Sequence, residues 1–263
     1  MVIGIAYIIG DSLEVQDGLY KYLFFFGNFS MIENNHWPSP ILTPLWSICI
    51  EEHFYLVIPV ILAFVSIKNI PKVLLGIIIG SILFRLWSLQ IESKDWMYFY
   101  CHTLSRCDLI AVGGLIGFSH QRKKIKLRLN SLIIPFVIVF LILVLSVLDL
   151  NFYHGIFHAS IKKYLVFIPI IFLFLMILFN EENGRLINLI KNNQILNYLG
   201  KISYGLYMYH MIVITLLSKL DIFEEFPLLR IIITVILTVL ISSLSYEFFE
   251  KRILRLKERF YSV

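Results

Sequence analysis

Charge is what this sequence has least of. Only 16% of its 263 residues are Asp, Glu, Lys or Arg, while 59% are hydrophobic and the mean hydropathy is +0.81. A soluble domain carries about 25% charged and 45–50% apolar residues. The deficit excludes a water-soluble globule, because the surplus Ile, Leu, Val and Phe would have nowhere to be buried. Cysteine is scarce as well. Cys49, Cys101 and Cys107 are odd in number, lie in or beside apolar runs and lack metal-ligand or redox spacing. They read as small buried hydrophobes. No cleavable leader is visible: "MVIGIAYIIG" has no basic start and is too short to span a bilayer alone. Internal repeats, low-complexity linkers and an appended soluble domain are missing too. The net charge of +5 and pI near 9.0 do not point to nucleic acid, since the basic residues sit in short loops between apolar runs. The positive-inside effect accounts for them.

What is present is a series of apolar runs of roughly 17 to 25 residues, the length a spanning helix needs. Seven occur, at about 46–67, 72–89, 100–119, 132–148, 164–180, 202–220 and 228–250. They predict an all-α, polytopic integral membrane helical bundle of about seven complete transmembrane helices plus a partial one. The partial helix is "MVIGIAYIIG", which looks like an outer helix end. It belongs to a segment 1–45 that continues as the aromatic interfacial stretch "LYKYLFFFGNFSMIENNHW" and a loop marked by Pro38, Pro40 and Pro44. Residues 46–250 then form the main membrane domain and 251–263 a basic tail. Placing Trp46 outside puts fifteen basic residues inside: Lys68, Lys72, the cluster Arg122, Lys123, Lys124, Lys126 and Arg128, then Arg185, Lys191 and Lys201, and the tail's Lys251, Arg252, Arg255, Lys257 and Arg259. Only Lys94, Lys162, Lys163 and Lys219 remain outside. This asymmetry makes the C-terminus cytoplasmic, and the amphipathic tail suits an anionic inner leaflet.

The run "WSICIEEHFYLVIPVILAFVSI" carries Glu51, Glu52 and His53 near its start. A charge deep in a bilayer costs about 2.5–3.5 kcal/mol on insertion scales, so an ionisable group there points to function by default. Glu51 and Glu52 lie roughly 8 Å inside the outer end of their helix, and Arg106 and Arg85 reach about the same layer. Two readings follow. The groups form an ion-pair cluster that locks helices, or they line a polar cavity. In the cavity, Glu51 or Glu52 orients a base or accepts a proton, and Arg106 holds an anion or oxyanion. In "LGKISYGLYMYHMIVITLL", Ser203, Tyr207 and His210 fall at i, i+4 and i+7 on one helix face, with Tyr204 beside them. They read either as hydrogen-bonded structural residues or as a cavity wall. Gly113, Gly114, Gly117 and Gly205 suit close helix approach. Two other signals carry little. His154 and His158 in "HGIFH" have the i, i+4 spacing of a metal pair but no third ligand nearby. "GDSL" at Gly10–Leu13 matches a serine-hydrolase block without its strand context or its Asp and His partners.

"PLWSICIEEHFYLVIPVIL" resembles the W-S-L-x-x-E-E-Q-F-Y-L signature of the acyltransferase-3 membrane proteins. "YFYCHTLSRCDLIAVGGLIG" is similar to that family's aromatic-rich R-x-D-x-L-x-x-G stretch. "LGKISYGLYMYHMIVI" is similar to its L-G-x-x-S-Y-x-L-Y-L-x-H segment, and "SSLSYEFFEKRILRL" to its closing S-Y-x-x-x-E-x-P element. The four motifs run in order from residue 43 to 256. The resemblance implies a ten-helix membrane enzyme with both termini cytoplasmic. Such an enzyme takes an acyl group, commonly acetyl, from a coenzyme A thioester and passes it to a hydroxyl of a sugar, polysaccharide or glycolipid.

It implies acetyl-CoA or another acyl-CoA as donor substrate, no bound cofactor, no metal, and contact with membrane lipids but not nucleic acid. By position, Glu51, Glu52, Arg106 and His210 become the catalytic candidates. Trp46, Ser47, Tyr55, Ser203, Tyr204 and Tyr207 become the substrate-binding candidates. A multi-pass bacterial inner or plasma membrane protein is expected, in keeping with the Ile, Lys, Asn and Phe content of an AT-rich genome. Departures stand out too. The family's N-terminal arginine-rich block and first-helix histidine, usually taken as its base, have no counterpart here, so the chain is expected to lack three helices. His53 replaces the signature's Gln, and Arg252 replaces the closing Pro. The competing readings are a transporter or flippase of an anionic glycolipid, for which repeats are missing, and an inactive remnant.

Overall fold

The computed structural model describes residues 19–88, 96–122, 192–220 and 226–261, with the single positions 137 and 171. Regular structure among the described residues is helical throughout. In chain order the helices are α1 (Leu19–Leu23), α2 (Gly27–Asn34), α3 (Leu45–Ala63), α4 (Ile70–Ser88), α5 (Trp96–Cys101), α6 (Thr103–Gln121), α7 (Gln194–Lys201), α8 (Ser203–Ser218), α9 (Pro227–Ser245) and α10 (Lys251–Tyr261). The chain divides into two compact units. The first holds the described parts of 1–27, 37–48 and 190–263, and the second those of 28–36 and 49–189.

Three stretches are long and apolar enough to cross a membrane: Leu45–Ala63, Ile67–Ser88 and Pro227–Leu256. They follow the expected runs at 46–67, 72–89 and 228–250. Nineteen residues rise about 28 Å, close to the ~30 Å of bilayer hydrocarbon. Pro59 lies inside α3, a placement that membrane helices tolerate. Pro227 opens α9, where its missing N–H would have had no partner anyway. The runs at 100–119 and 202–220 also fold as helices, α6 and α8, but neither belongs to this set. In α6, Arg106 and Asp108 lower the apolar character, and the sixteen residues of α8 rise only about 24 Å. The runs at 132–148 and 164–180 lie outside the described residues, as do "MVIGIAYIIG", Gly10–Leu13, His154 and His158.

In the first unit α8 packs on α9, and Gly205 is where they come closest. A Cβ there would stand 3.1 Å from the Ser242 Cβ and 3.3 Å from its Cα, so only glycine fits without pushing the helices apart. Further along, Tyr209 Oη and Ser245 Oγ are 2.9 Å apart, and Ser245 Oγ donates to Glu250 Oε1 at 3.2 Å. Residues Tyr246–Glu250 form a wide π turn, with the Lys251 N–H bonded to the Tyr246 carbonyl five residues back. The Pro-marked loop before α3 is locked on itself. Ser39 receives the Leu42 and Thr43 amides on its carbonyl and the Ile41 amide on its hydroxyl, while Ile41 and Leu42 are fully buried.

In the second unit α4 packs along α6. Leu74 meets Gly114 at 3.6 Å, and Ser81 Oγ donates to the Leu104 carbonyl. His102 caps α6: its Nδ1 accepts the Leu104 N–H at 3.2 Å. The cap ring is itself wedged in place, stacked 4.5 Å from Phe84 and edge-on to Phe29 at 5.4 Å. Cys49 and Cys101 are buried thiols, as their apolar surroundings in the sequence suggest, whereas Cys107 is only half-buried, with its Sγ 3.3 Å from Ser81 Oγ.

Candidate functional site

In the second unit the arginines expected to face Glu51 and Glu52 have other partners. Arg85, almost fully buried on α4, reaches Asp108 with Nη2–Oδ2 at 3.0 Å and donates Nη1 to the Ser105 carbonyl. Asp108 is completely buried and also accepts the Leu109 amide at 3.0 Å. Buried charges need such partners, and here each has more than one. These contacts flank Arg106 on α6, whose Nε donates to the Tyr100 carbonyl at 2.8 Å. Its guanidinium lies 4.2 Å from the centroid of the Tyr100 ring, a cation–π contact. Glu51 is exposed and Glu52 half-buried on α3, and neither takes part in an ion pair among the described residues. His53, next along, meets Thr103 Oγ1 through Nδ1 at 2.9 Å. Thr103 Oγ1 in turn accepts from the fully buried Asn28 at 3.2 Å, and Asn28 also donates to the Cys101 carbonyl at 3.1 Å.

The first unit brings together a second set. Ser47, in the first turn of α3, lies with its Oγ 2.7 Å from Tyr207 Oη. Both hydroxyls also reach the Pro44 carbonyl at 3.2 Å. A carbonyl is only an acceptor, so the hydroxyl pair is anchored to the locked loop. One turn further along α8, His210 Nδ1 is 2.6 Å from the Tyr207 carbonyl, and the two rings are 5.7 Å apart. Because the carbonyl accepts, Nδ1 must carry the proton, and the neutral ring keeps its lone pair on Nε2. A backbone carbonyl thus sets the tautomer of His210, where the sequence suggested a carboxylate.

Among the residues singled out in the sequence, Ser47, Tyr207 and His210 come together. Trp46 lies beside Ser47 with its ring 6.5 Å from Trp37. Ser203 bonds back to the Gly200 carbonyl at 2.9 Å, so it closes the α7–α8 junction and leaves the Tyr207–His210 turn. Tyr204 and Tyr55 are more than half exposed. The sequence reading missed Asp108, although it stands two residues after Arg106 in the quoted motif. It also missed Asn28, Thr103 and the Pro44 carbonyl, which no spacing rule marks.

The sequence profile of the acyltransferase-3 family, described as an acyltransferase domain, matches residues 2–247. The chain is 28% identical over 253 residues to a peptidoglycan O-acetyltransferase of Listeria monocytogenes, covering 92% of this chain and 39% of the relative. It is 25% identical over 279 residues to a provisionally named O-acetyltransferase of Staphylococcus aureus, covering 95% and 44%. A provisionally named peptidoglycan O-acetyltransferase of Bacillus subtilis is 27% identical over 255 residues, covering 93% and 39%. The chain thus spans less than half the length of these curated relatives. No solved structure matches it significantly.

Proposed function

Because this chain belongs to the acyltransferase-3 family, we propose that it works in a bacterial membrane as an O-acyltransferase. In this reading it moves an acetyl group from acetyl-coenzyme A to a hydroxyl of a glycan of the peptidoglycan kind. The observation that carries this is the His210 tautomer. With Nδ1 donating to the Tyr207 carbonyl, Nε2 is the basic atom and has a fixed direction.

The chemistry balances without a metal or redox partner. As the acceptor oxygen attacks the thioester carbonyl, its O–H bond breaks and the proton passes to His210 Nε2. The tetrahedral intermediate collapses, the C–S bond breaks, and the thiolate leaves and recovers the proton. An ester and free coenzyme A result. Ser47 and Tyr207, 2.7 Å apart, supply the hydroxyls that orient the acceptor. In the second unit, Arg106 is assigned to an anionic group of the donor, and Glu51 and Glu52 to balancing its charge. The contacts of Ser47 with Tyr207 and of Tyr207 with His210 support assigning Ser47 and Tyr207 to acceptor binding, and Trp46 joins them on the family motif alone. Tyr55, Ser203 and Tyr204 stay as substrate contacts on the family motif alone.

Thiol release from acetyl-coenzyme A tests this, using the full chain in lipid nanodiscs with a soluble peptidoglycan fragment as acceptor. His210→Asn keeps an amide donor at the Nδ1 position but removes the base, so release falls by about 10²–10⁴-fold with the fold intact. A rate within twofold of the parent would overturn the assignment.

A further inference from the structure

The proposed reaction leaves unused a chain of hydrogen bonds in the second unit. The chain begins at the Cys101 carbonyl. A carbonyl only accepts, so the Asn28 side-chain atom 3.1 Å from it is the amide nitrogen. Asn28, completely buried on α2, gives its other amide hydrogen to Thr103 Oγ1 at 3.2 Å. That oxygen therefore already accepts once. Among the described residues, the one other hydrogen-bond partner of the Thr103 hydroxyl is His53 Nδ1, at 2.9 Å. The amide nitrogen of Asn28 cannot accept, so the hydroxyl hydrogen goes to His53. Nδ1 is then the acceptor, and a neutral imidazole whose lone pair is used at Nδ1 carries its hydrogen on Nε2. One backbone carbonyl thus sets the direction of every link, ending in the tautomer of a ring.

His210 has the opposite tautomer. Its Nδ1 donates to the Tyr207 carbonyl and its Nε2 keeps a lone pair, whereas His53 uses its lone pair on Thr103. One histidine is left with a basic atom and the other is not. The chain also joins three helices, since Asn28 lies on α2, His53 on α3, and Thr103 opens α6. Phe29 of α2 backs the junction. Its ring is 5.7 Å from that of His53 and 5.4 Å from that of His102, the cap of α6. We propose that His53 is a positioning residue for acyl transfer, accepting the Thr103 hydrogen and so pinning α3 to the first turn of α6. This inference rests on the acyl-transfer reading and deepens it. The lock holds the helix that carries Glu51 and Glu52 in register with the helix that carries Arg106, the groups assigned to the donor and its charge. His53 takes no part in moving the proton, and Asn28 and Thr103 act through it.

The test uses the full chain in lipid nanodiscs and reads the ring and the reaction separately. Nitrogen NMR of histidine-labelled protein shows which ring nitrogen bears the hydrogen, the His53 signals being identified by their loss in His53→Asn. At neutral pH it should find the hydrogen on Nε2 and a bare Nδ1, and a hydrogen on Nδ1 would overturn the inference. In the thiol-release assay, Thr103→Val removes the hydroxyl at nearly constant volume, and His53→Leu removes the acceptor. Each should raise the KM for acetyl-coenzyme A roughly tenfold and leave the KM for the glycan fragment unchanged. Both together should do no more than the larger single change, as expected of two partners in one bond. His53→Asn puts an amide oxygen at the Nδ1 position and has no basic atom, so it should recover most of the loss, in contrast to His210→Asn. If His53→Asn instead abolishes transfer as His210→Asn does, His53 is a base and not a positioning residue. An unchanged donor KM in Thr103→Val would equally remove the lock. Should the parent chain transfer nothing, the acyl-transfer reading fails by itself. The ring then still decides the chain of bonds, which stands with the hydrogen on Nε2 and falls with it on Nδ1.

Discussion

The two units hold their polar groups in opposite ways. In the second, Arg85 and Asp108 are buried and tied down by an ion pair, a bond to the Ser105 carbonyl and a bond from the Leu109 amide. In the first, His210 is half-buried and held through one nitrogen, and the Ser47 and Tyr207 hydroxyls share a single carbonyl. A charge whose hydrogen-bonding capacity is used inside the protein serves the fold. A group fixed through one atom keeps another available, which is why His210 is the residue proposed to take the proton. The bilayer sharpens the contrast, because an intramembrane charge without partners is costly. Asp108 and Arg85 repay that cost through each other.

Breaking the buried pair should have the largest effect. Arg85→Met strands the Asp108 carboxylate and should cost about 3–5 kcal/mol of stability. Thermal unfolding in nanodiscs would show this as a large fall in Tm. Adding Asp108→Leu should restore most of it, and a double variant no better than the single would contradict the pairing. Tyr207→Phe probes the other unit. It removes one hydroxyl from the shared Pro44 carbonyl, and the loss should be only about 1 kcal/mol. Its signature should instead be a weaker acceptor, seen as a higher acceptor KM in the thiol-release assay. The smallest effect belongs to Lys251, whose exposed i, i+4 pair with Glu247 spans 2.6 Å. Lys251→Ala should change stability by about 0.3–0.5 kcal/mol, and added salt should erase the difference.

The helices were the easiest part to read, because a spanning segment announces itself by length and apolarity. Leu45–Ala63, Ile67–Ser88 and Pro227–Leu256 lie close to where the runs put them. Partners were not legible, and for one pair neither was depth: the charge asymmetry put Ser47 at the outer end of its run and Tyr207 near the inner end of 202–220, yet their hydroxyls are 2.7 Å apart. The sequence gives depth along a helix axis, so Glu51, Glu52, Arg85 and Arg106 could be assigned to one layer. It does not give rotation about that axis, and rotation decides who meets whom. Arg85 therefore finds Asp108, 23 residues away, instead of the carboxylates of α3. The same limit separates Ser203 from His210. Their spacing puts them on one face, but Ser203 starts its helix and its hydroxyl turns back to Gly200. The Pro44 carbonyl was invisible for a simpler reason: backbone acceptors carry no letter of their own.

The π turn at Tyr246–Glu250 has a geometric consequence beyond its local bonds. An α-helix advances about 100° per residue, and a π turn takes in one residue more than an α turn would. The five residues between Ser245 and Lys251 therefore act as an angular setting. They fix the compass direction in which Lys251, Arg252 and Arg255 leave α9. Because the turn absorbs its extra residue, deleting Phe248 would let it tighten into ordinary α-helix and leave the cationic face of the tail nearly in place, whereas rewinding all five residues as α-helix would swing that face by about 100°. Which lipids or phosphates the tail meets is thus governed by the winding of a turn that itself carries a net negative charge.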